Sequence, residues 1–314
     1  QGVPVRPFCS WTDSLASARL LHLFGMSREG LELARVARDR GIPVVLSPIC
    51  WYEPRSMAAL ASSRWRAATD LAVYGARRAW PRIPGWRRSL LRLADRILPN
   101  SQAEACQLYQ LFSVEARRVR VVPNGVDPRF LDADPELFRS RVGLDDFVLY
   151  TGRIEPRKNV LGLIRAVGRA GLPLVVIGDP VPGQGAYLRA CEEAGWGVWT
   201  RVPRLSHDDP LLASAYASAR VFSLVSWFET PGLSALEAAV AGSAVVMTPY
   251  GCTREYFADH VNYARPGNPD EIASAIERAW KTGGSERLRE RILARYLWSH
   301  VSRMTLEVYD ELAP

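Results

Sequence analysis

The sequence predicts an α/β protein with two doubly wound, Rossmann-like domains. Its 314 residues exceed the usual size of a single hydrophobic core, which favours two domains. Short apolar runs typical of buried strands alternate with helical segments along the chain. A turn-rich stretch at residues 123–128 breaks this alternation, so it is the expected domain boundary.

The first domain is predicted to span residues 1–125. Its elements alternate in the way that a parallel sheet with crossover helices requires. They are a strand over residues 20–24, a helix over 28–40, and strands over 43–46, 97–101 and 119–122.

The second domain is predicted over residues 126–295. Its expected strands lie at residues 147–150, 174–177, 197–200, 221–225 and 244–247. Ligands of doubly wound sheets bind beyond the carboxyl ends of the strands. Two groups of polar residues fall at such ends, and they are the candidate site.

The first group follows the apolar run at residues 219–225. Glu229 and Glu237 flank a glycine, Gly232, that opens a short helix over residues 235–241. The unpaired N–H groups of a first helical turn, together with the helix dipole, favour a bound phosphate. Ser234 and Glu237 also match a capping box, in which Glu237 bonds back to the N–H of Ser234. That alternative leaves the acidic Glu229 unexplained.

The second group follows the predicted strand at residues 147–150. Lys158 and Lys281 are the only lysines in a chain that otherwise uses arginine. A retained lysine suggests a need for a compact ammonium with rotatable donors, and Arg153 offers a planar fork suited to phosphate. Two solvated surface cations ahead of a helix are the alternative.

These two groups resemble the retaining glycosyltransferases of family 4, which have the GT-B fold. The resemblance covers the C-terminal two-thirds of the chain well and the first third loosely. It is carried by residues 122–127, 152–159, 174–179, 229–237, 251–269 and 296–312. It implies two Rossmann-like domains facing a cleft, with a closing helix over residues 296–314 that packs back toward the first domain.

The resemblance implies roles for matching residues. Glu229, Arg153 and Lys158 would be catalytic: Glu229 would face the donor sugar, and the two cations would neutralise the donor diphosphate. Glu237 would accept hydrogen bonds from the ribose hydroxyls. The amides of Gly232, Leu233 and Ser234 would complete the nucleotide-sugar site. Pro231 departs from the family, which more often has an aromatic residue there, so the identity of the donor sugar stays open.

The implied reaction moves a hexose from a UDP- or GDP-sugar to a glycan or lipid-linked acceptor, with no metal and no cofactor. Residues 2–5 resemble the second strand of the family's first domain, so this domain is expected to be incomplete. Residues 47–49 stand where many relatives have a catalytic-site histidine. His22 is either a replacement or a structural residue. A catalytically weak or inactive nucleotide-sugar-binding scaffold, or an epimerase, is the alternative function.

The charge and composition of the chain limit the classes of partner that it is expected to bind. The net charge is +7, and arginines crowd residues 55–92 beside Trp65, Trp80 and Trp86. Such a segment suits an anionic membrane surface, with a solvated basic face as the alternative. No nucleic-acid-binding motif accompanies it, so nucleic acid is not an expected partner. No apolar stretch could span a bilayer, and the five scattered cysteines fit a reducing cytoplasm.

Two acidic motifs are expected to have structural roles. Asp132 and Asp134 form the Asp-x-Asp pattern of metal-dependent transferases, but they follow a turn-rich linker and precede Pro135, which indicates a surface turn. Residues 207–209 are expected to form the loop before a helix that begins near Pro210.

Overall fold

The computed structural model describes residues 4–9 and 11–313, and the chain forms two compact units. Unit 1 contains the described residues up to Tyr52, Ala68–Asn124 and the described residues from Trp298. Unit 2 contains Glu53–Ala67 and Gly125–Leu297. The segment at 53–67, which the sequence assigns to the first domain, groups with unit 2 because its helix packs against a 3₁₀ turn at Pro156–Lys158.

The elements before the boundary at Asn124 begin with a strand and a helix. In chain order they are β1 Leu21–Phe24, α1 Arg28–Asp39, β2 Val44–Ser47, α2 Pro54–Leu60, α3 Arg64–Ala79, α4 Trp86–Leu93, β3 Arg96–Ile97 and α5 Gln102–Phe112.

The elements after the boundary continue the alternation. They are α6 Glu136–Val142, β4 Val148–Thr151, α7 Val160–Ala170, β5 Leu174–Ile177, α8 Gly185–Ala194, β6 Trp199–Val202, α9 Pro210–Ser218, β7 Val221–Leu224, α10 Leu233–Ala241, β8 Ala244–Met247, α11 Thr253–Phe257, β9 Asn262–Tyr263, α12 Pro269–Thr282, α13 Glu286–Arg295 and α14 Trp298–Leu312.

Unit 1 is built on a parallel sheet in the order β1-β2-β3. Side chains along β2 alternate between two cores: Val44 and Leu46 join one apolar cluster, and Val45 joins another. The second cluster contains Val301 and Val308, so α14 covers that face of the sheet. This alternation is the period of two expected of a strand with both faces covered.

Three predicted strands of the first domain are not formed as expected. The strand predicted over residues 97–101 is reduced to β3, Arg96–Ile97. Residues 119–122 contribute one isolated bridge, Val119 to Ile97, and two further backbone bonds, from Arg120 N to Ile97 O and from Val122 N to Pro99 O. In the predicted strand at residues 2–5, Pro4 and Val5 have no regular structure, and the other two residues lie outside the described part of the chain.

Unit 2 contains a parallel sheet in the order β6-β5-β4-β7-β8-β9. Every residue of β4, β5, β7 and β8 is buried, as in a sheet covered by helices on both faces. The chain proceeds outward from β4 in one direction and from β7 in the other. The carboxyl ends of β4 and β7 therefore flank the topological switch point, where doubly wound sheets bind ligands. β6 begins two residues later than predicted, because Val198 N and Trp199 N both bond Gly195 O in a turn.

Candidate functional site

The switch point of unit 2 brings Lys158 and Glu229 together. Lys158 Nζ lies 2.6 Å from Glu229 Oε1, and the two side chains are 15% and 6% exposed. In an ion pair this far from water, each charge compensates the other, so loss of either partner leaves the other charge buried alone. Lys158 has three N–H donors, so two remain for a ligand.

Backbone contacts with the loop after β8 hold Glu229 in place. Glu229 N donates to Tyr250 O at 3.1 Å, and Cys252 N donates to Glu229 O at 3.0 Å. Gly251, between Tyr250 and Cys252, has a φ of 97°, and a Cβ there would stand 1.9 Å from Glu229 O. The close approach of the two loops therefore requires a glycine.

Gly232 opens helix α10 with a φ of 98°. A Cβ at this position would lie 2.9 Å from Leu224 Cδ2, so any side chain here requires Leu224 to shift. No side chain caps the helix. The N–H groups of Leu233 and Ser234 therefore have no acceptor within the helix and are available to an anion, which the helix dipole also favours.

The capping box between Ser234 and Glu237, which the sequence left as an alternative, is not formed. Gly232 is the N-cap, and Ser234 already lies inside α10. Glu237 turns to other partners: its Oε2 accepts from Tyr216 OH at 2.8 Å, and its Oε1 lies 3.0 Å from His207 Nε2. The carboxylate is thus held by side chains of a different segment and not by its own helix.

Two buried hydroxyl groups, of Thr151 and Tyr216, are hydrogen-bonded in series to Glu237. Tyr216 OH donates to the carboxylate, so it accepts from Thr151 Oγ1, which lies 2.8 Å away. Burial raises the pKa of Tyr216 well above its ordinary value, and the neighbouring Glu237 raises it further. Tyr216 therefore stays neutral and remains a hydrogen-bond donor.

His207 contacts the other oxygen of Glu237 from the surface. Its backbone oxygen accepts from Arg129 Nη2 at 2.6 Å, and the same guanidinium contacts His207 Nδ1. Arg129 Nη1 also bonds Asp208 Oδ1 at 2.7 Å. As predicted, the next residue, Asp209, begins a helix: it caps α9 by accepting from Leu211 N.

Arg153 lies apart from the buried pair. Its guanidinium is exposed, and its Nη2 is 3.1 Å from Glu155 Oε1, which also lies 3.3 Å from Arg157 Nη2. Its backbone carbonyl accepts from Tyr150 OH at 2.7 Å, which ties the loop to the end of β4. The structure therefore joins Lys158 to Glu229 and places the Arg153 guanidinium at the surface, paired with Glu155.

The predicted surface turn at Asp132 and Asp134 is confirmed in part. Asp134 Oδ1 accepts from Glu136 N at 2.9 Å, where α6 begins. Asp134 O also accepts a hydrogen bond from Ser214 Oγ. Both contacts of Asp134 are structural.

In unit 1, His22 makes structural contacts. Its Nε2 lies 2.9 Å from Ser47 Oγ, and its Nδ1 lies 2.5 Å from Tyr309 OH. Burial lowers the pKa of His22 to about 4. Ile49, two residues after β2, is 59% exposed and has a φ of 47°, which is strained for a β-branched residue.

Two family models match the chain. Residues 145–282 match "Glycosyl transferases group 1", and residues 16–130 match "Glycosyltransferase Family 4". The chain belongs to the family 4 glycosyltransferases. In this family 4 chain, the group 1 match lies wholly within unit 2 and contains Arg153, Lys158, Glu229 and Glu237.

Relatives of this family 4 chain are named for glycosyl transfer. It is 29% identical to a D-inositol 3-phosphate glycosyltransferase of Stackebrandtia nassauensis, over 98% of this chain and 76% of the relative. A D-inositol 3-phosphate glycosyltransferase of Nocardioides is also 29% identical, over 88% of this chain and 64% of that relative. The chain thus spans about two-thirds to three-quarters of these two relatives.

Solved structures show that this family 4 chain has the GT-B fold. Sucrose-phosphate synthase from Thermosynechococcus elongatus matches with a TM-score of 0.70 and 21% identity, over 94% of this chain and 73% of that chain. HepE from Anabaena, in complex with UDP and glucose, matches with a TM-score of 0.71 and 18% identity, over 93% of this chain and 77% of that chain.

Proposed function

We propose that this glycosyltransferase moves a hexose from a UDP- or GDP-sugar to a glycan or lipid-linked acceptor, with retention of configuration and without a metal. The observation that carries the proposal is the placement of Lys158, the uncapped start of α10 and Glu237 around one switch point. These groups match a diphosphate and the ribose beside it.

The leaving diphosphate is the centre of the proposed chemistry. When the bond from the anomeric carbon to the phosphate oxygen breaks, the electron pair stays on the diphosphate. Lys158 and the N–H groups of Leu233 and Ser234 stabilise this growing charge, and Arg153 swings in from the surface to add a bidentate contact. Because Lys158 and the start of α10 are fixed before the reaction, these donors need little reorganisation as charge develops.

Glu229 is proposed to face the donor sugar. Its Oε1 is already paired with Lys158, so Oε2 is the oxygen left for sugar hydroxyls or for a positively charged anomeric centre. Glu229 is thus proposed either to orient the sugar hydroxyls or to stabilise the anomeric centre. Glu237 accepts hydrogen bonds from the ribose, which fixes the nucleotide relative to the catalytic pair.

The acceptor is proposed by class. The resemblance implies a glycan or lipid-linked acceptor, and the relatives are named for an inositol phosphate. A phosphorylated polyol therefore belongs in the acceptor screen beside glycans and lipid-linked sugars.

We also propose that residues 55–92 contact an anionic membrane surface. Trp65 and Trp80 are 83% and 71% exposed, and α3 has no buried residue. Trp86, in contrast, packs against the core of unit 1. None of the helices in the described part of the chain has the length and hydrophobicity to span a bilayer.

Vesicle sedimentation tests the membrane contact. The wild type should sediment with phosphatidylglycerol vesicles and remain free of phosphatidylcholine vesicles. A Trp65→Ser/Trp80→Ser variant should lose this binding. Trp196→Ser, which removes an exposed tryptophan from unit 2, should keep it. Equal binding of the double variant and the wild type would contradict the proposal.

A thermal-shift screen of UDP-, GDP- and ADP-sugars tests the donor site. A ligand at about 100 times its Kd should add roughly 2.7 kcal/mol of stability. The shift should disappear in Glu237→Ala and Lys158→Ala and persist in Lys281→Ala. Release of nucleotide diphosphate that depends on acceptor then separates transfer from its rivals. An inactive scaffold binds without turnover, and an epimerase converts the donor without releasing diphosphate.

A further inference from the structure

We propose that His207 is a displaceable cap on Glu237, and that the ribose of the nucleotide must replace it in order to bind. This inference rests on the proposed nucleotide-sugar function and names the residue that competes with the ligand. No sequence motif indicates the contact between these two residues, because His207 lies in a loop 30 residues before Glu237 and no local pattern links them.

The two oxygens of Glu237 have different surroundings. Oε2 bonds Tyr216 OH, and Tyr216 is fully buried. Oε1 bonds His207 Nε2, and the His207 side chain is 57% exposed. Only the contact with His207 can be exchanged for a ligand without opening the core of unit 2. Oε1 is therefore the oxygen that a ribose hydroxyl would reach.

Arg129 fixes which His207 nitrogen donates. Arg129 Nη2 contacts Nδ1 and lies 3.4 Å from Nε2, and because a guanidinium has donors and no acceptor, the nearer ring nitrogen, Nδ1, presents a lone pair. Nε2 then carries the N–H that donates to Glu237 Oε1. Arg129 is itself held by His207 O and Asp208 Oδ1, so this arrangement is set before any ligand arrives.

The imidazole N–H and a ribose hydroxyl offer the same kind of donor to the same oxygen. Because the Glu237 side chain is only 10% exposed, with His207 lying against Oε1, a ribonucleotide reaches that oxygen by displacing the imidazole and its charge-assisted bond. A 2′-deoxynucleotide has one hydroxyl fewer with which to compete. Removal of the imidazole should thus strengthen ribonucleotide binding more than deoxyribonucleotide binding.

Isothermal titration of the full chain with UDP and 2′-deoxy-UDP, or with the GDP pair if the wild type prefers guanine, tests the cap. His207→Ala should bind the ribonucleotide about three- to tenfold more tightly and raise the ratio of deoxy to ribo Kd. Arg129→Ala, which leaves the imidazole but releases it, should raise the ratio by less. His300→Ala, which removes a histidine of α14, should leave the ratio unchanged.

The outcomes separate the two proposals. A wild type that binds no nucleoside diphosphate would overturn the nucleotide-sugar function, and the cap with it. Nucleotide binding by the wild type, with an unchanged or lowered ratio in His207→Ala, would overturn the cap alone. If His207→Ala lowers the melting temperature, Arg129→Ala decides the question, because it retains the ring that packs against Phe130.

Discussion

Lys158 and Glu229 meet at 2.6 Å from opposite sides of the switch point, Lys158 after β4 and Glu229 after β7. The pair is neutral as a whole before any ligand binds. In the proposed reaction, a diphosphate therefore meets a cation that is already partly compensated, and Arg153 and the start of α10 supply the remaining positive potential. The proposed donor site would then be organised before the donor arrives.

Lys158→Ala should destabilise the protein by about 3–5 kcal/mol, because it leaves Glu229 buried without a partner. The double variant Lys158→Ala/Glu229→Gln should lose less stability, since it no longer buries the unpaired Glu229 carboxylate. Lys281→Ala, at the exposed end of α12, should change stability by about 0.5 kcal/mol or less. Urea denaturation measures all three, and a double variant less stable than Lys158→Ala would contradict the pair's role.

Lys158→Ala should also lower the rate of transfer on the order of tenfold or more, because a charge-assisted bond contributes roughly 1.5–3 kcal/mol. The folded fraction is first established by circular dichroism. Initial rates of nucleotide diphosphate release then give the effect. A rate within twofold of the wild type would exclude Lys158 from stabilising the leaving group.

Gly232→Ala should destabilise the protein more than Gly143→Ala does. Both glycines have positive φ, but a Cβ at Gly143 meets nothing within 4 Å, whereas one at Gly232 meets the Leu224 side chain. The backbone term alone is about 1–2 kcal/mol, and the contact adds to it. Only Gly232→Ala should weaken nucleotide binding. Equal losses of stability in urea would show that Leu224 gives way without cost.

Tyr216→Phe should cost about 1–3 kcal/mol of stability, because it removes the donor to Glu237 and leaves the Thr151 hydroxyl without its acceptor. Nucleotide affinity should fall as well, since Glu237 is no longer held from inside. Thr151→Val, which leaves the Tyr216 donor in place, should preserve most of that affinity. Calorimetric titration of the two variants compares them directly.

The pH dependence of stability should depend on two buried groups in unit 1. The pKa of His22 falls from 6.5 to about 4 on burial, so the unfolded chain takes up a proton first as the pH drops below 6.5. His22 therefore lowers stability toward acid. Burial raises the pKa of Glu104 from 4.5 to about 7, although Cys50 N and Asn100 N both donate to it. Glu104 therefore lowers stability as the pH rises from 4.5 to 7.

The two effects oppose each other over the same interval, each on the order of 3 kcal/mol. His22→Gln should leave a stability that falls between pH 4.5 and 7. Glu104→Gln should leave one that rises over that interval. Urea denaturation at several pH values measures both slopes, and slopes of the same sign would contradict the assignment.

Ile49→Asn should stabilise the protein by about 1 kcal/mol, because asparagine adopts a positive φ more easily than a β-branched residue. Val36→Asn, at an exposed position of α1, should gain nothing. A melting-temperature increase confined to Ile49→Asn is the expected result. A decrease would show that the isoleucine side chain contributes more than the backbone strain removes.

Local patterns in the sequence were sufficient to predict much of unit 2. The strands β4, β5, β7 and β8 have continuous apolar runs because both faces are buried, and the junction at Gly232 is indicated by the change from strand to helix. The start of β6 was less predictable: glycines at 195 and 197 indicate a turn, but they do not show that the turn extends to Val198 before the strand begins. Val119 to Val122 lies beside β3 but forms one bridge only.

The residues of the site could be named individually, but their pairing could not. Lys158 and Glu229 lie 71 residues apart, and no local sequence pattern indicates that they form an ion pair. Tyr216 looks like an apolar core residue of α9, yet its hydroxyl supports Glu237. The capping box remained an alternative at the level of sequence because spacing cannot show that a tertiary partner competes for the same carboxylate.

The grouping of residues 53–67 with unit 2 has a practical consequence for dissecting the protein. A fragment that starts at Gly125 would lack α2, which packs against the turn carrying Lys158 and whose Arg55 stacks on the Tyr250 ring at 4.6 Å. Complementation in trans by a synthetic peptide of residues 53–67, or a circular permutation that joins it to the fragment, would be needed to restore that support.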